Sequence, residues 1–174
     1  MNKKFITSMV LAAAIIIISY VIFTNISAQE VGTQEGDAAA DFTLPSYNGE
    51  ERSLSSYEGN IVIMNMWASW CEPCTEEIPE LMEFHQQYEE QGVIVLTINM
   101  NSFERKQEQA EKFVEQFDMR QTPALIDEEG EVADLYNLQY LPTTYIITRD
   151  GTIAEKIAGE INFKQLEEKV ADQL

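Results

Sequence analysis

Trp67-Ala68-Ser69-Trp70-Cys71-Glu72-Pro73-Cys74-Thr75-Glu76-Glu77-Ile78-Pro79 holds both cysteines of this chain, three positions apart. An apolar run, Ile61 to Trp67, leads into it and a helical pattern follows, so the thiols are expected at a strand-to-helix turn, the setting of a redox pair. Positions i and i+3 share one helix face, which brings the sulfurs within disulfide reach. Pro73 suits a first helical turn, where a missing N–H has no intrahelical partner to lose. Cys71 then stands at the helix start, where unpaired amide donors and the positive end of the macrodipole favour its thiolate. Cys71 is therefore the expected nucleophile, and Cys74, one turn further in, the thiol that resolves the mixed disulfide.

Other uses of the spacing fit less well. A zinc centre needs four ligands, and the chain has one His and no further Cys, so no metal site is expected. Haem attachment needs a His directly after the second Cys, where Thr75 stands. A purely structural bridge would close a very short loop in a chain large enough to fold without one.

Outward from the motif, Ile61 to Trp67 is nearly continuous in apolar residues, as in a strand covered on both faces, with Asn65 as its one polar interruption. The helix that follows places Ile78, Leu81, Met82, His85 and Tyr88 on one side, with a kink expected at Pro79. His85 lies on that apolar stripe and reads as a core or boundary residue rather than a catalytic one. Val93 to Ile98 is the next buried strand, completing a right-handed parallel βαβ unit. Phe103 to Phe117 is an amphipathic helix, Ala124 to Ile126 a short strand, and Gly130 to Leu138 a short helix. Tyr140 to Thr148 and Thr152 to Ala158 form an antiparallel pair turned by Arg149-Asp150-Gly151. Asn162 caps a last helix, Gln165 completes a capping box, and Phe163, Leu166 and Val170 face inward. Ahead of all this, Asp41 to Leu44 and Arg52 to Leu54 flank Asn48-Gly49 as an added hairpin, with a short turn or helix over Ser55 to Gly59.

At the N-terminus, Lys3 and Lys4 precede an uncharged run from Phe5 to Phe23, which as a helix would measure about 28 Å, close to the hydrocarbon thickness of a bilayer. Residues 1–23 are expected to be a cytoplasmic tip and uncleaved transmembrane anchor, although Ile26-Ser27-Ala28 would pass as a weak cleavage site. The two lysines stay inside, which puts the rest of the chain on the extracytoplasmic side of the plasma membrane. Small and polar residues from Thr24 to about Ala40 read as a linker, 24–36 in the strict sense, leaving 37–174 as one domain. Asn25-Ile26-Ser27 is a weak glycosylation triplet. Thirty Asp and Glu against eleven Lys and Arg give a net charge of −19, which argues against nucleic acid or anionic lipid as a partner.

The element order, the Cys-Glu-Pro-Cys pair and several further residues resemble the membrane-anchored ResA/TlpA-like thiol-disulfide oxidoreductases, with their thioredoxin fold. The residues concerned are Asp41-Phe-Thr-Leu44, Asn65-Met-Trp-Ala-Ser-Trp-Cys-Glu-Pro-Cys74, Glu77, Pro79, Leu141-Pro-Thr-Thr144 and Asp150-Gly151. The resemblance implies an α/β fold, a mixed sheet flanked by helices with an added N-terminal hairpin, and no cofactor beyond a redox-active disulfide, Cys71–Cys74. It places a cis-proline at Pro142 and a substrate groove at Trp70, Glu72, Pro73, Leu141, Pro142 and Thr143. Thioredoxins carry a buried Asp where this chain has Asn65, and Glu77 is the candidate to replace it in handling the Cys74 proton. Asn60 departs from the Lys common in the family, with a local surface effect expected.

Relatives of this kind reduce disulfides in exported apocytochromes before haem attachment, taking electrons from a membrane thiol carrier. Others serve different extracytoplasmic reductions such as spore formation. Glu72, Glu77 and the acidic domain all oppose a thiolate, which predicts a reductant rather than an oxidase or isomerase. A peroxiredoxin would want Pro and Thr upstream of its Cys, absent from positions 64–70, and a metal carrier of related fold would want wider cysteine spacing and a partnering His.

Overall fold

The computed structural model describes Met9, residues 11–20, residues 30–171 and Gln173. It divides into Met1–Glu30 and Val31–Leu174. In the first unit Met9 and residues 11–20 are helical. Among the described residues no helix is long and apolar enough to cross a membrane. The remaining positions of the expected span, and the 25–27 triplet, lie outside the described residues.

The second unit is built on a five-stranded sheet. Its strands are β5 (Ile61–Trp67), β6 (Val93–Asn99), β7 (Ala124–Ile126), β8 (Thr143–Ile147) and β9 (Ile153–Ala158). They lie in the order β7-β6-β5-β8-β9, with β5, β6 and β7 parallel and β8 and β9 antiparallel. All seven residues of β5 are buried. Their alternation divides the core: Ile61, Ile63 and Trp67 face one hydrophobic cluster, Val62, Met64 and Met66 the other. The first cluster is covered by three helices, α1 (Glu72–Tyr88), α2 (Gln107–Gln116) and α4 (Phe163–Val170). Against the second lie α3 (Glu131–Leu135) and a hairpin of β3 (Thr43–Pro45) and β4 (Glu51–Ser53). This is the thioredoxin fold with the expected hairpin in front.

Gly92 closes α1 after a single 3₁₀ turn, with φ 78°, a conformation that favours glycine. An added Cβ would also meet the Arg149 guanidinium at 2.8 Å, and that group donates to the carbonyls of Gly59 and Gln91. Asn162 does form a capping box with Gln165 at the start of α4.

Four boundaries differ from expectation. Residues 31–40 are not linker: β1 (Val31–Gly32) pairs with β2 (Ala38–Ala39), and Gly36 N–H donates to the Ile153 carbonyl and Ala39 N–H to that of Gly151. Strands this short are specified by backbone pairing, which leaves no side-chain periodicity to read. The strand expected from Tyr140 starts at Thr143, because Pro142, whose bond to Leu141 is cis, has no N–H to give the ladder. The helix expected from Phe103 starts at Gln107, after a 3₁₀ turn over Asn101–Phe103. The helix expected to reach Leu138 ends at Leu135, ahead of Asn137 with its positive φ.

Candidate active site

Cys71 is the N-cap of α1 and Cys74 lies in its first turn, with Pro73 beside it as expected. The sulfurs are joined in a disulfide, S–S 2.09 Å and Cα–Cα 5.3 Å. The Cys74 N–H points at the Cys71 sulfur, at 3.3 Å, so an amide of the first helical turn faces the atom that must carry negative charge. The two thiols differ in access. Cys74 is wholly buried, whereas Cys71 borders a groove of about 330 Å³ between the Trp70–Pro73 turn and residues 138–141. Exchange with another molecule therefore starts at Cys71, and Cys74 can meet only a partner already held there.

Glu77 stands one turn after Cys74, 2% exposed. One carboxylate oxygen accepts from Asn65 Nδ2 at 2.7 Å and the other from the Ile161 N–H at 3.0 Å. Asn65 Nδ2 also donates to Thr144 Oγ1 at 3.0 Å, its direct neighbour across β5 and β8. Burial pushes the Glu77 carboxyl up from the ordinary 4.5 to about 7, the two hydrogen bonds partly oppose this, and Glu160 adds to it. Asn65 thus interrupts the apolar strand in order to hold a buried acid. A carboxyl at about 7 is well placed to accept and return a proton near neutral pH.

The turn before Cys71 is anchored from the loop that follows β6. Glu104 accepts from the Ser69 N–H and Ser69 Oγ, both at 2.6 Å, and from Asn99 Nδ2 at 2.8 Å. Trp70 Nε1 donates to the Phe103 carbonyl at 2.9 Å, and the Arg105 guanidinium lies 5.6 Å from the Trp70 ring centre.

Residues 35–156 match the model of the AhpC/TSA family. The chain belongs to that family. Within it, thioredoxin-like protein YneN of Bacillus subtilis (strain 168) is 34% identical over 170 residues, 98% of each chain. Thiol-disulfide oxidoreductase ResA of Geobacillus kaustophilus (strain HTA426) is 35% identical over 159 residues, 91% of this chain and 87% of that one. Among solved structures, StoA from Bacillus subtilis superposes with a TM-score of 0.66 at 28% identity, covering 76% of this chain and 98% of its own. This AhpC/TSA member, like its ResA relatives, is a thiol-disulfide oxidoreductase working through a cysteine pair.

Of the groove residues expected from sequence, Trp70, Glu72, Pro73 and Leu141 line the space beside Cys71. Pro142 and Thr143 do not. Both are buried: the Thr143 hydroxyl donates to the Tyr140 carbonyl and the Pro142 carbonyl accepts from the Gly159 N–H. Phe103, Leu138, Gln139 and Tyr140 complete the lining; the sequence pattern assigns Phe103 and Leu138 to helices and Tyr140 to a strand, whereas the structure leaves them just beyond the ends of those elements, facing the groove. His85 is a core residue: its Nδ1 accepts from the Val95 N–H, and burial lowers its pKa while Glu89 opposes that.

Proposed function

We propose that this domain is held outside the plasma membrane by its N-terminal span and reduces disulfides in exported proteins, apocytochrome c before haem attachment among them. Its electrons would come from a membrane thiol carrier. The observation that carries this reading is the pairing of one accessible and one buried sulfur with a buried carboxyl poised at about 7. The Cys71 thiolate attacks one substrate sulfur, the substrate disulfide breaks, and its other sulfur leaves as a thiolate that picks up a proton. Cys74 gives its proton to the Glu77 carboxylate and attacks the Cys71 sulfur. The second substrate thiolate then leaves, taking a proton in turn. Two electrons have passed to the substrate, and the Cys71–Cys74 disulfide remains to be reduced by the donor.

Direction follows from charge. The groove beside Cys71 is lined by Glu72 and by no cation, so the thiolate gains from the helix start but not from a basic neighbour. The reduced form is then not strongly stabilised, and the pair gives electrons readily. The test is the reduction potential of the pair, with reduction of oxidised apocytochrome c as the companion assay. A value near the roughly −270 mV of thioredoxin is expected; one near the roughly −120 mV of the oxidant DsbA would overturn the reading.

A further inference from the structure

A second groove, of about 320 Å³, lies on the other side of the same tryptophan, lined by Trp70, Arg105, Gln109, Lys112, Phe113 and Gln116 together with Ser69. No carboxylate lines it, in a protein where acids outnumber bases thirty to eleven. Helix α2 sorts its side chains to make this so. Gln109, Lys112 and Gln116 recur at helical spacing towards the groove, while Glu108, Glu111 and Glu115 form the adjacent stripe. Glu104, next to Arg105, has its carboxylate turned to Ser69 and Asn99.

The cations of the groove are also available. Arg52, Arg120, Lys164 and Lys169 stand in ion pairs, Arg149 is tied to two carbonyls, and Lys156 lies over the Tyr145 ring; Lys106, exposed and in no ion pair among the described residues, does not line the groove. Arg105 and Lys112 are both exposed, and among the described residues neither has a carboxylate partner. Arg105 is steadied over the Trp70 ring instead.

We propose that this groove binds an acidic segment of the redox partner, an Asp or Glu flanking the cysteine under attack, through Arg105 and Lys112. Trp70 borders both grooves, so an anion held here lies close to the chain docked at Cys71. Glu72 on the Cys71 side and the two cations beyond Trp70 give the docking surface an electrostatic polarity that orients the incoming chain. The proposal rests on the dithiol-exchange reading and adds a substrate preference to it.

The test uses the reduced full chain in non-ionic detergent and three disulfide-bridged peptides, identical except for two Glu, two Gln or two Lys beside one cysteine. At low ionic strength the Glu peptide should be reduced with a kcat/KM on the order of three- to tenfold above that of the Gln peptide, carried by KM. The preference should vanish in the Arg105→Gln, Lys112→Gln double variant and fade in about 0.5 M salt. A Glu peptide reduced no faster than the Gln peptide, or a preference that survives the double variant, overturns the proposal. If none of the three peptides is reduced, the exchange reading beneath it fails as well.

Discussion

Burying the Glu77 carboxyl costs the fold stability near neutral pH. In the folded chain its carboxyl titrates at about 7, above the ordinary 4.5, so between these values the unfolded chain releases a proton that the folded chain keeps. Stability attributable to this residue is full below pH 4.5 and declines as pH rises to about 7, by on the order of 3 kcal/mol. A Glu77→Gln variant should match the parent in denaturant unfolding near pH 4 and exceed it near pH 8; equal stabilities at pH 8 would contradict the buried site. The same variant should flatten the pH dependence of exchange around 7 and slow resolution of the mixed disulfide by about tenfold to a hundredfold in stopped-flow assays. The placement of Cys71 and Cys74 at a strand-to-helix turn, within disulfide reach, was legible from their spacing and from Pro73. Glu77 was legible as a candidate because it sits one turn past Cys74, but its burial against Asn65 and Ile161 was not: Ile161 is 84 positions away.

The elements were readable where side chains repeat and unreadable where backbone or a single carboxylate sets the boundary. Strand β5 and the Asn162 capping box follow from apolar runs and cap chemistry, and Asn162→Ala should cost about 1 kcal/mol in thermal unfolding. Helix α2 starts at Gln107 rather than Phe103. Glu104, which its sequence context places on an ordinary charged helix face, instead accepts three hydrogen bonds that fix the turn before Cys71. Its two bonds to Ser69, 35 positions earlier, have no local mark, and the nearby Asn99, five positions back, gives no pattern that singles it out. Glu104→Ala should leave the Ser69 N–H and the Asn99 amide without their acceptor, lower stability by about 1 to 3 kcal/mol, and alter Trp70 fluorescence. Unchanged fluorescence would mean that the turn is held by other contacts.

For the whole molecule, the thioredoxin architecture was legible from the order of strands and helices together with the resemblance carried by the Cys-Glu-Pro-Cys pair, while the ten residues from Val31 to Ala40 had to be seen pairing with one another and with β9. The groove beside Cys71 was half legible, because a surface drawn from three separate segments has no signature in any one of them. The proposed anchor makes a plain prediction: the full chain should sediment with membranes and require detergent for release, and release by salt or high pH alone would refute it. The exchange chemistry itself is tested by incubating Cys74→Ser and Cys71→Ser variants with a disulfide-bridged peptide and weighing the products. The Cys74→Ser chain should accumulate a mixed disulfide between Cys71 and the peptide, while the Cys71→Ser chain forms none. A stable adduct on Cys74 with Cys71 absent, or no adduct on either variant, would contradict a mechanism in which the sulfur bordering the groove attacks and the wholly buried one resolves.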